Sequence, residues 1–247
     1  MSGSKHDNTP LPTSASFVNL LRTRSRNRPV SRKQKTAASS QDSASPENGD
    51  RQSEVRIVGG SFRGRRLRYE GDPTVRPMKH RTRESIFNLI GPDVVGRHAI
   101  DLFAGTGALG LEALSRGAVS ATFIEKHVPS SRIVQENIQI LAVENRSTLV
   151  VSSAFLWMKR DLPSATVDAV APWLVFCSPP YAFFIERQEE MRELITRIQT
   201  HAPAGSILVV ETDDQFDFRL LGAEEPATAD HWDIRIYAPA VVGIWRG

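Results

Sequence analysis

The stretch HAIDLFAGTGALG, residues 98–110, decides the fold of this 247-residue chain. A short apolar run ends in an acidic residue, and a G-x-G-x-x-G turn then leads into a helical pattern that Gly117 ends. A turn of this kind brings the backbone close to a bound cofactor at the N-terminus of the helix. The glycine pattern alone is a weak signal, because a tight turn without a ligand uses the same residues.

Two acidic residues indicate which cofactor fits this turn. Glu125 lies 20 residues beyond Gly105, at the end of the second predicted strand, where a carboxylate can bind both ribose hydroxyls of an adenosine. This pattern fits a nicotinamide dinucleotide and S-adenosylmethionine alike. Asp101 favours the second, since an acidic side chain is unfavourable beside a pyrophosphate and favourable beside the ammonium and sulfonium groups of S-adenosylmethionine.

Strands and helices alternate outward from this stretch. Apolar periodicity predicts strands at 98–103, 121–124, 148–152, within 167–176 and at 207–211. It predicts helices at 108–116, 129–143, 154–160 and 185–201, and two final β segments at 233–237 and 240–245. The fold class is therefore α/β and Rossmann-like, with a seven-stranded, mostly parallel sheet and an antiparallel C-terminal hairpin.

The chain divides into three predicted regions. Residues 1–54 are rich in Ser, Asn, Gln, Pro and charge, which predicts a disordered tail. Residues 55–96 combine a small β-hairpin with a helix over 79–90, and residues 97–247 form the predicted cofactor-binding domain. The tail is open to three interpretations: a solvated basic segment, a nucleic-acid-binding arm or an organellar transit peptide.

Composition excludes several classes of protein. The chain is 40% hydrophobic, and none of its apolar runs approaches the roughly 20 residues that a membrane span needs. It opens without a secretory signal pattern, and its single cysteine, Cys177, excludes a disulfide framework and a cysteine-based zinc site. We therefore expect a soluble cytoplasmic protein.

Positive charge is concentrated near the N-terminus. Residues 55–83 hold nine Lys/Arg and two Asp/Glu, whereas residues 84–247 hold thirteen Lys/Arg and twenty-one Asp/Glu. A basic N-terminal segment followed by an acidic remainder indicates a polyanionic partner. The alternative is a solvated basic segment without a specific partner.

A second motif, VFCSPPY at residues 175–181, follows the fourth predicted strand. It is similar to the signature of exocyclic-amine methyltransferases, most of which have Asp or Asn where Ser178 stands. An aromatic amine is a poor nucleophile, and two acceptors, the polar side chain and the first proline's carbonyl, can hold its N–H groups and direct its lone pair at a methyl group. The aromatic ring offers a face for stacking on the base. The expected catalytic residues are Ser178, Pro179, Pro180 and Tyr181.

Three segments together resemble the RsmD-type 16S rRNA guanine-N2 methyltransferases. They are RIVGGSFRGRRL at residues 56–67, residues 76–88, and residues 101–118. The resemblance covers about residues 55–247 and is strongest over 56–125. It implies a class I methyltransferase fold, S-adenosylmethionine as the methyl donor, and methylation of the exocyclic N2 of one guanine, guanine 966 of 16S rRNA, in an assembling 30S subunit.

The resemblance also implies roles for individual residues. The implied cofactor-binding residues are Asp101, Phe103, Gly105, Gly107, Glu125, Lys126, Ser153 and Ala154. The basic residues expected to contact rRNA phosphates are Arg63, Arg65, Arg66, Arg68, Arg76, Lys79, Arg81 and Arg83. A structural ion pair between Arg83 and Glu84 is the alternative for those two residues. The expected partner is 16S rRNA or a 30S assembly intermediate, and the protein is expected to be a monomer.

Other functions stay open at this point. One is a different amino-methyltransferase, acting on adenine or cytosine in DNA or RNA. Another is a non-catalytic rRNA-binding assembly factor, which the two serines at 153 and 178 favour because both replace residues usual in the family. A dehydrogenase is disfavoured by Asp101 and by the Pro-Pro-Tyr motif.

Overall fold

The computed structural model describes residues 55–69, 78–167, 171–221 and 232–247, and the tail predicted at 1–54 lies outside these ranges. The strands are β1 (Val55–Arg56), β2 (Arg66–Leu67), β3 (His98–Asp101), β4 (Ser120–Ile124), β5 (Ser147–Val150), β6 (Trp173–Cys177), β7 (Ile207–Asp213), β8 (Trp232–Tyr237) and β9 (Ala240–Arg246). The helices are α1 (His80–Ile90), α2 (Ala108–Ser115), α3 (Val128–Leu141), α4 (Ala154–Arg160), α5 (Leu162–Val167), α6 (Phe183–Glu186) and α7 (Gln188–His201).

Seven strands form one sheet in the order β5-β4-β3-β6-β7-β9-β8. The first five of these run parallel, and β9 runs antiparallel to both β7 and β8. All five residues of β6 are buried, as expected for a central strand covered on both faces. The predicted fold class is confirmed, and the carboxyl ends of the parallel strands meet along one edge.

Helices cover both faces of this sheet. On one face, α1, α2 and α3 bury apolar residues at helical spacing, such as Ile86 and Ile90 of α1. On the other face, α4 to α7 do the same, with Met191, Leu194 and Ile198 of α7 facing the sheet. In the part of the chain that the structure describes, no helix is long and apolar enough to cross a membrane.

The helix predicted at 185–201 is two helices. The backbone of Arg187 leaves helical geometry, with φ −130° and ψ 35°, so α6 ends before it and α7 begins after it. The side chain of Arg187 lies over the ring of Phe155 and pairs with Glu190, whose carboxylate is 2.7 Å from its Nε. The contact with Phe155 joins residues far apart in the chain, which the local helical periodicity does not report.

The predicted N-terminal hairpin is present and packs against α2. β1 and β2 pair antiparallel, and the Glu112 carboxylate accepts hydrogen bonds from the backbone N–H groups of Val58 and Gly59, both at 2.7 Å. Gly60 has φ 75°, and a Cβ there would lie 2.0 Å from the backbone oxygen of Ser115, so this close approach requires glycine. The hairpin therefore shares the core of the region that follows residue 97.

Candidate active site

A cavity of about 660 Å³ opens at the carboxyl edge of the parallel strands. Each of the strands from β3 to β7 contributes its C-terminal end or the segment that follows it. The predicted site residues that line the cavity are Asp101, Phe103, Gly105, Glu125, Lys126, Ser153, Ala154, Ser178, Pro179, Pro180 and Tyr181. The two sequence motifs, 77 residues apart at Asp101 and Ser178, thus open into one space.

Asp101 lies at the end of β3 and is 1% exposed. One carboxylate oxygen accepts a hydrogen bond from the backbone N–H of Gly110 at 3.2 Å. The other oxygen is buried without a hydrogen-bond partner among the described residues. Burial raises the pKa of Asp101 to about 7, and the nearby negative charge of Glu125 adds to the effect, while backbone hydrogen bonds oppose it. A carboxylate in this position can be satisfied by a cation that enters the cavity.

The glycine turn is built by two residues with positive φ, Gly105 at 56° and Gly107 at 77°. The Glu125 carboxylate connects the turn with the start of α3. Its oxygens accept hydrogen bonds from the backbone N–H groups of Gly105 at 2.8 Å and His127 at 2.7 Å. Gly107 is buried, and a Cβ there would lie 3.3 Å from Val134, so it serves the geometry of the turn. That Gly107 also lines the cofactor site stays a prediction.

Three phenylalanines form an aromatic wall of the cavity. The ring centroids of Phe103, Phe155 and Phe183 lie 6.2–6.3 Å from one another. The guanidinium of Arg187 lies 4.0 Å above the Phe155 ring. Sequence reasoning identified Phe103 only, since nothing local to Phe155 or Phe183 shows that α4 and α6 bring them to the same place.

Ser153 and Ala154 lie where β5 passes into α4. The Ser153 hydroxyl accepts a hydrogen bond from the backbone N–H of Leu156 at 3.1 Å and so caps the helix. The neighbouring Lys126 is exposed, and its Nζ lies 5.4 Å above the ring of Phe183. Both predicted cofactor-binding segments therefore border the aromatic wall.

The Ser-Pro-Pro-Tyr segment at the end of β6 contacts a carboxylate that sequence reasoning missed. Glu211, on β7, accepts hydrogen bonds from the hydroxyls of Ser178 and Tyr181, the latter at 2.9 Å. Glu211 is 6% exposed, and burial raises its pKa, although the two hydroxyls counteract this shift. Its position was a usable signal, because Glu211 follows four apolar residues of a strand, and Asp101 likewise stands at the end of a buried strand.

Most of the arginines predicted to contact RNA lie on the surface. The exposed ones are Arg63, Arg65, Arg66, Arg68 and Arg81. Arg65 donates to the backbone oxygen of Ile140, and Arg68 forms an ion pair with Glu136 at 3.0 Å. Arg76 lies outside the described residues. Lys79 is exposed and lines the cavity, which connects α1 to the mouth of the site.

The prediction that Arg83 contacts RNA is wrong. Its side chain is 0% exposed, and its Nε lies 3.6 Å from the carboxylate of Glu112 rather than against Glu84. The guanidinium also donates to the backbone oxygen of Arg56 on β1. Burial lowers the pKa of Arg83, while the charge of Glu112 raises it. Arg83 thus holds the hairpin, α1 and α2 together.

The cavity fits S-adenosylmethionine better than a dinucleotide. The buried, unpartnered oxygen of Asp101 calls for a cation, which the methionine ammonium supplies. A pyrophosphate would be repelled by the Asp101 carboxylate, whereas Glu125, which also lines the cavity, fits the ribose of either cofactor. The aromatic wall offers apolar surface to an adenine ring.

Comparisons with known proteins agree with this geometry. The model of the family described as Conserved hypothetical protein 95 matches residues 55–224. YlbH of Bacillus subtilis is 31% identical over 147 residues, which are 60% of this chain and 75% of that protein. The Ribosomal RNA small subunit methyltransferase D of Escherichia coli K12 is 36% identical over 128 residues, 52% of this chain and 61% of its own length.

A solved structure from the same bacterium, Escherichia coli yhhF, has the same architecture. It superposes with a TM-score of 0.59 at 26% identity and covers 78% of this chain and 97% of its own. The family model spans more than half of the present sequence. The chain therefore belongs to the Conserved hypothetical protein 95 family, the RsmD-type methyltransferases.

Proposed function

We propose that this protein transfers a methyl group from S-adenosylmethionine to the exocyclic N2 of a guanine in small-subunit rRNA. One observation carries the proposal: the Asp101 turn and the Ser178 segment line the same cavity. Because β3 and β6 are adjacent parallel strands, the donor and the target amine would meet where those strands end. The name of the Escherichia coli relative, Ribosomal RNA small subunit methyltransferase D, supports rRNA as the substrate class.

The cofactor would be held from three sides. Asp101 would pair with the methionine ammonium, and Glu125, at the end of β4, would accept hydrogen bonds from the ribose. The adenine would lie against the wall of Phe103, Phe155, Phe183, Ser153 and Ala154. When bound, S-adenosylmethionine supplies an electrophilic methyl group.

The Ser-Pro-Pro-Tyr segment would orient the target amine. The Ser178 hydroxyl and the carbonyl of Pro179 accept its two N–H groups, which leaves the nitrogen lone pair directed at the methyl carbon. Tyr181 stacks on the base and keeps the amine in register. As the nitrogen–carbon bond forms and the carbon–sulfur bond breaks, one amine proton leaves to water.

The exposed arginines of the hairpin and α1 would bind the phosphates around the target. Lys79 links this basic surface to the cavity, so a guanine presented unpaired or flipped could enter beside it. We propose 16S rRNA in a 30S assembly intermediate as the partner and guanine 966 as the target. Replacing Arg63 and Arg66 with alanine should weaken RNA binding and reduce its salt dependence, by about 0.7–0.9 in the log–log slope for each phosphate that is no longer neutralised.

The experiment that tests this function is methyl transfer from labelled S-adenosylmethionine to small ribosomal subunits that lack the modification. The product is digested to nucleosides and the labelled nucleoside is identified. Asp101→Ala should abolish transfer. Asp93→Ala, which changes a half-exposed aspartate outside the cavity, is the matched control and should retain it.

Each outcome decides between the functions that the sequence left open. Label in N2-methylguanosine that depends on Asp101 supports the proposal. Label in another nucleoside supports methyltransferase activity and refutes guanine as the target base. Bound rRNA without cofactor binding or transfer would favour an assembly factor instead.

A further inference from the structure

Glu211 lies beside the segment that would orient the target amine, and it lines the same cavity. It lies on β7, whose residues pair with those of β6 up to Cys177 and Val210, so Ser178 and Glu211 are the next residues along the two strands. Both oxygens of its carboxylate are used: one accepts the Ser178 hydroxyl and the other accepts the Tyr181 hydroxyl. Glu211 is therefore hydrogen-bonded to two of the four residues of the Ser-Pro-Pro-Tyr segment.

The Glu211 carboxylate determines whether the Ser178 hydroxyl can donate a hydrogen bond into the cavity or only accept one. A hydroxyl has one proton and two lone pairs, so by itself it can either donate or accept a hydrogen bond. When Ser178 gives its only proton to Glu211, its oxygen can offer only lone pairs to the cavity. Burial raises the pKa of Glu211, and the hydrogen bonds from Ser178 and Tyr181 favour its ionised form. While it is ionised, the carboxylate has no proton to return, so this polarity is fixed.

The polarity matters for an amine nucleophile. A donor facing the amine would bind the nitrogen lone pair, which is the electron pair that must attack the methyl group. An acceptor facing the amine binds an N–H group and leaves the lone pair free. A carbonyl oxygen of a base, which has no N–H, would find no donor at Ser178 and would be disfavoured there.

We propose that Glu211 is a positioning residue that fixes Ser178 as a hydrogen-bond acceptor and thereby selects an exocyclic amino group as the substrate. The same carboxylate anchors the hydroxyl of Tyr181, which holds its ring at the cavity wall. This inference rests on the proposed methyltransferase function. It adds the residue that lets Ser178 act as the hydrogen-bond acceptor for the amine, the role that Asp or Asn usually has at this position.

The test compares single-turnover methyl transfer in a set of variants with saturating cofactor and RNA. Glu211→Leu removes both acceptor oxygens at similar size, and Ser178→Ala removes the hydroxyl. Each should lower the rate constant about tenfold or more while the Kd for S-adenosylmethionine changes less than about threefold. Glu211→Gln keeps an oxygen that can accept from Ser178 and should retain more of the rate than Glu211→Leu.

The double variant Ser178→Ala/Glu211→Leu separates positioning from general damage to the fold. If Glu211 acts through Ser178, adding Glu211→Leu to Ser178→Ala slows transfer by much less than Glu211→Leu slows the wild type, because only the hydrogen bond to Tyr181 remains to be lost. Asp213→Asn, two residues further along the same strand and outside the cavity, is the control and should transfer at the wild-type rate. Thermal unfolding of each variant reports whether it is folded.

The inference is overturned if Glu211→Leu transfers at the wild-type rate, if Ser178→Ala does so, or if the two changes multiply in the double variant. These results leave the proposed function standing, because the wild-type protein still transfers methyl groups to guanine. If the wild-type protein transfers no methyl group, the proposed function fails, and this inference fails with it.

Discussion

Replacing Asp101 with asparagine should stabilise the ligand-free protein, and the gain should grow with pH. Burial raises the pKa of Asp101 from its ordinary value of 3.8 to about 7. Between these pH values the folded state binds more protons than the unfolded state. The free energy of unfolding therefore decreases as the pH rises from about 4 to about 7, and a neutral side chain removes this loss.

The magnitude follows from the two pKa values. A difference of about 3 pH units, at about 1.4 kcal/mol each, corresponds to a cost of about 4 kcal/mol once the buried carboxylate is ionised. At pH 5 the folded carboxyl is still protonated, and the cost is about 1.7 kcal/mol. Relative to the wild type, Asp101→Asn should thus gain about 2.5 kcal/mol more at pH 8 than at pH 5. A fixed cost of burying the amide cancels in this comparison.

The assay is urea unfolding followed by tryptophan fluorescence, without cofactor, at pH 5 and pH 8. Asp93→Asn is the control, because that aspartate is about half exposed and lies outside the cavity. A difference between Asp101→Asn and wild type that is equal at the two pH values would refute the reasoning. The same variant should bind S-adenosylmethionine more weakly, since a carboxylate that is costly in the free protein is kept for its ligand.

Three other substitutions test the packing around the site. Arg83→Met breaks a buried ion pair and should lower the free energy of unfolding, measured in urea, by about 3 kcal/mol or more. Arg81→Ala changes an exposed arginine and should lower it by under about 0.5 kcal/mol. Arg81→Ala should instead weaken RNA binding in a filter assay. Gly110→Ala places a methyl group 2.4 Å from the ring of Phe123 and should lower the free energy of unfolding by about 1–3 kcal/mol, seen as a lower Tm. An unchanged Tm would mean that the ring moves aside freely. Ser153→Ala removes the cap of α4 and should cost about 1 kcal/mol in urea, and a variant as stable as wild type would show that water replaces the hydroxyl.

Features encoded by neighbouring residues were readable in the sequence. The run that ends at Asp101 and the glycines after it predict a strand, a turn and a helix, because apolar spacing and positive φ are local properties. The Ser178-Pro-Pro-Tyr segment is identified by its similarity to the signature of exocyclic-amine methyltransferases. Both predictions needed only the order of residues within one short segment.

Features that depend on distant residues were not readable. Arg83 and Arg81 lie two positions apart in the same basic stretch, yet only Arg83 meets Glu112 and is buried. Phe155 and Phe183 join Phe103 only because α4 and α6 approach one another at the edge of the sheet. Arg187, where the helix breaks, lies over Phe155, which is 32 residues earlier in the chain.

The sequence by itself therefore determined the order of the main strands and helices, the glycine turn and the presence of the Ser-Pro-Pro-Tyr segment after β6. The tertiary structure alone decided that Glu211 accepts a hydrogen bond from Ser178 and that Arg83 is buried against Glu112. The physical reason is that periodicity and turn chemistry act over a few residues, whereas desolvation and hydrogen bonding across a sheet depend on which strands become neighbours. In this chain, pairing of β6 with β7 puts a carboxylate beside a serine 33 residues away.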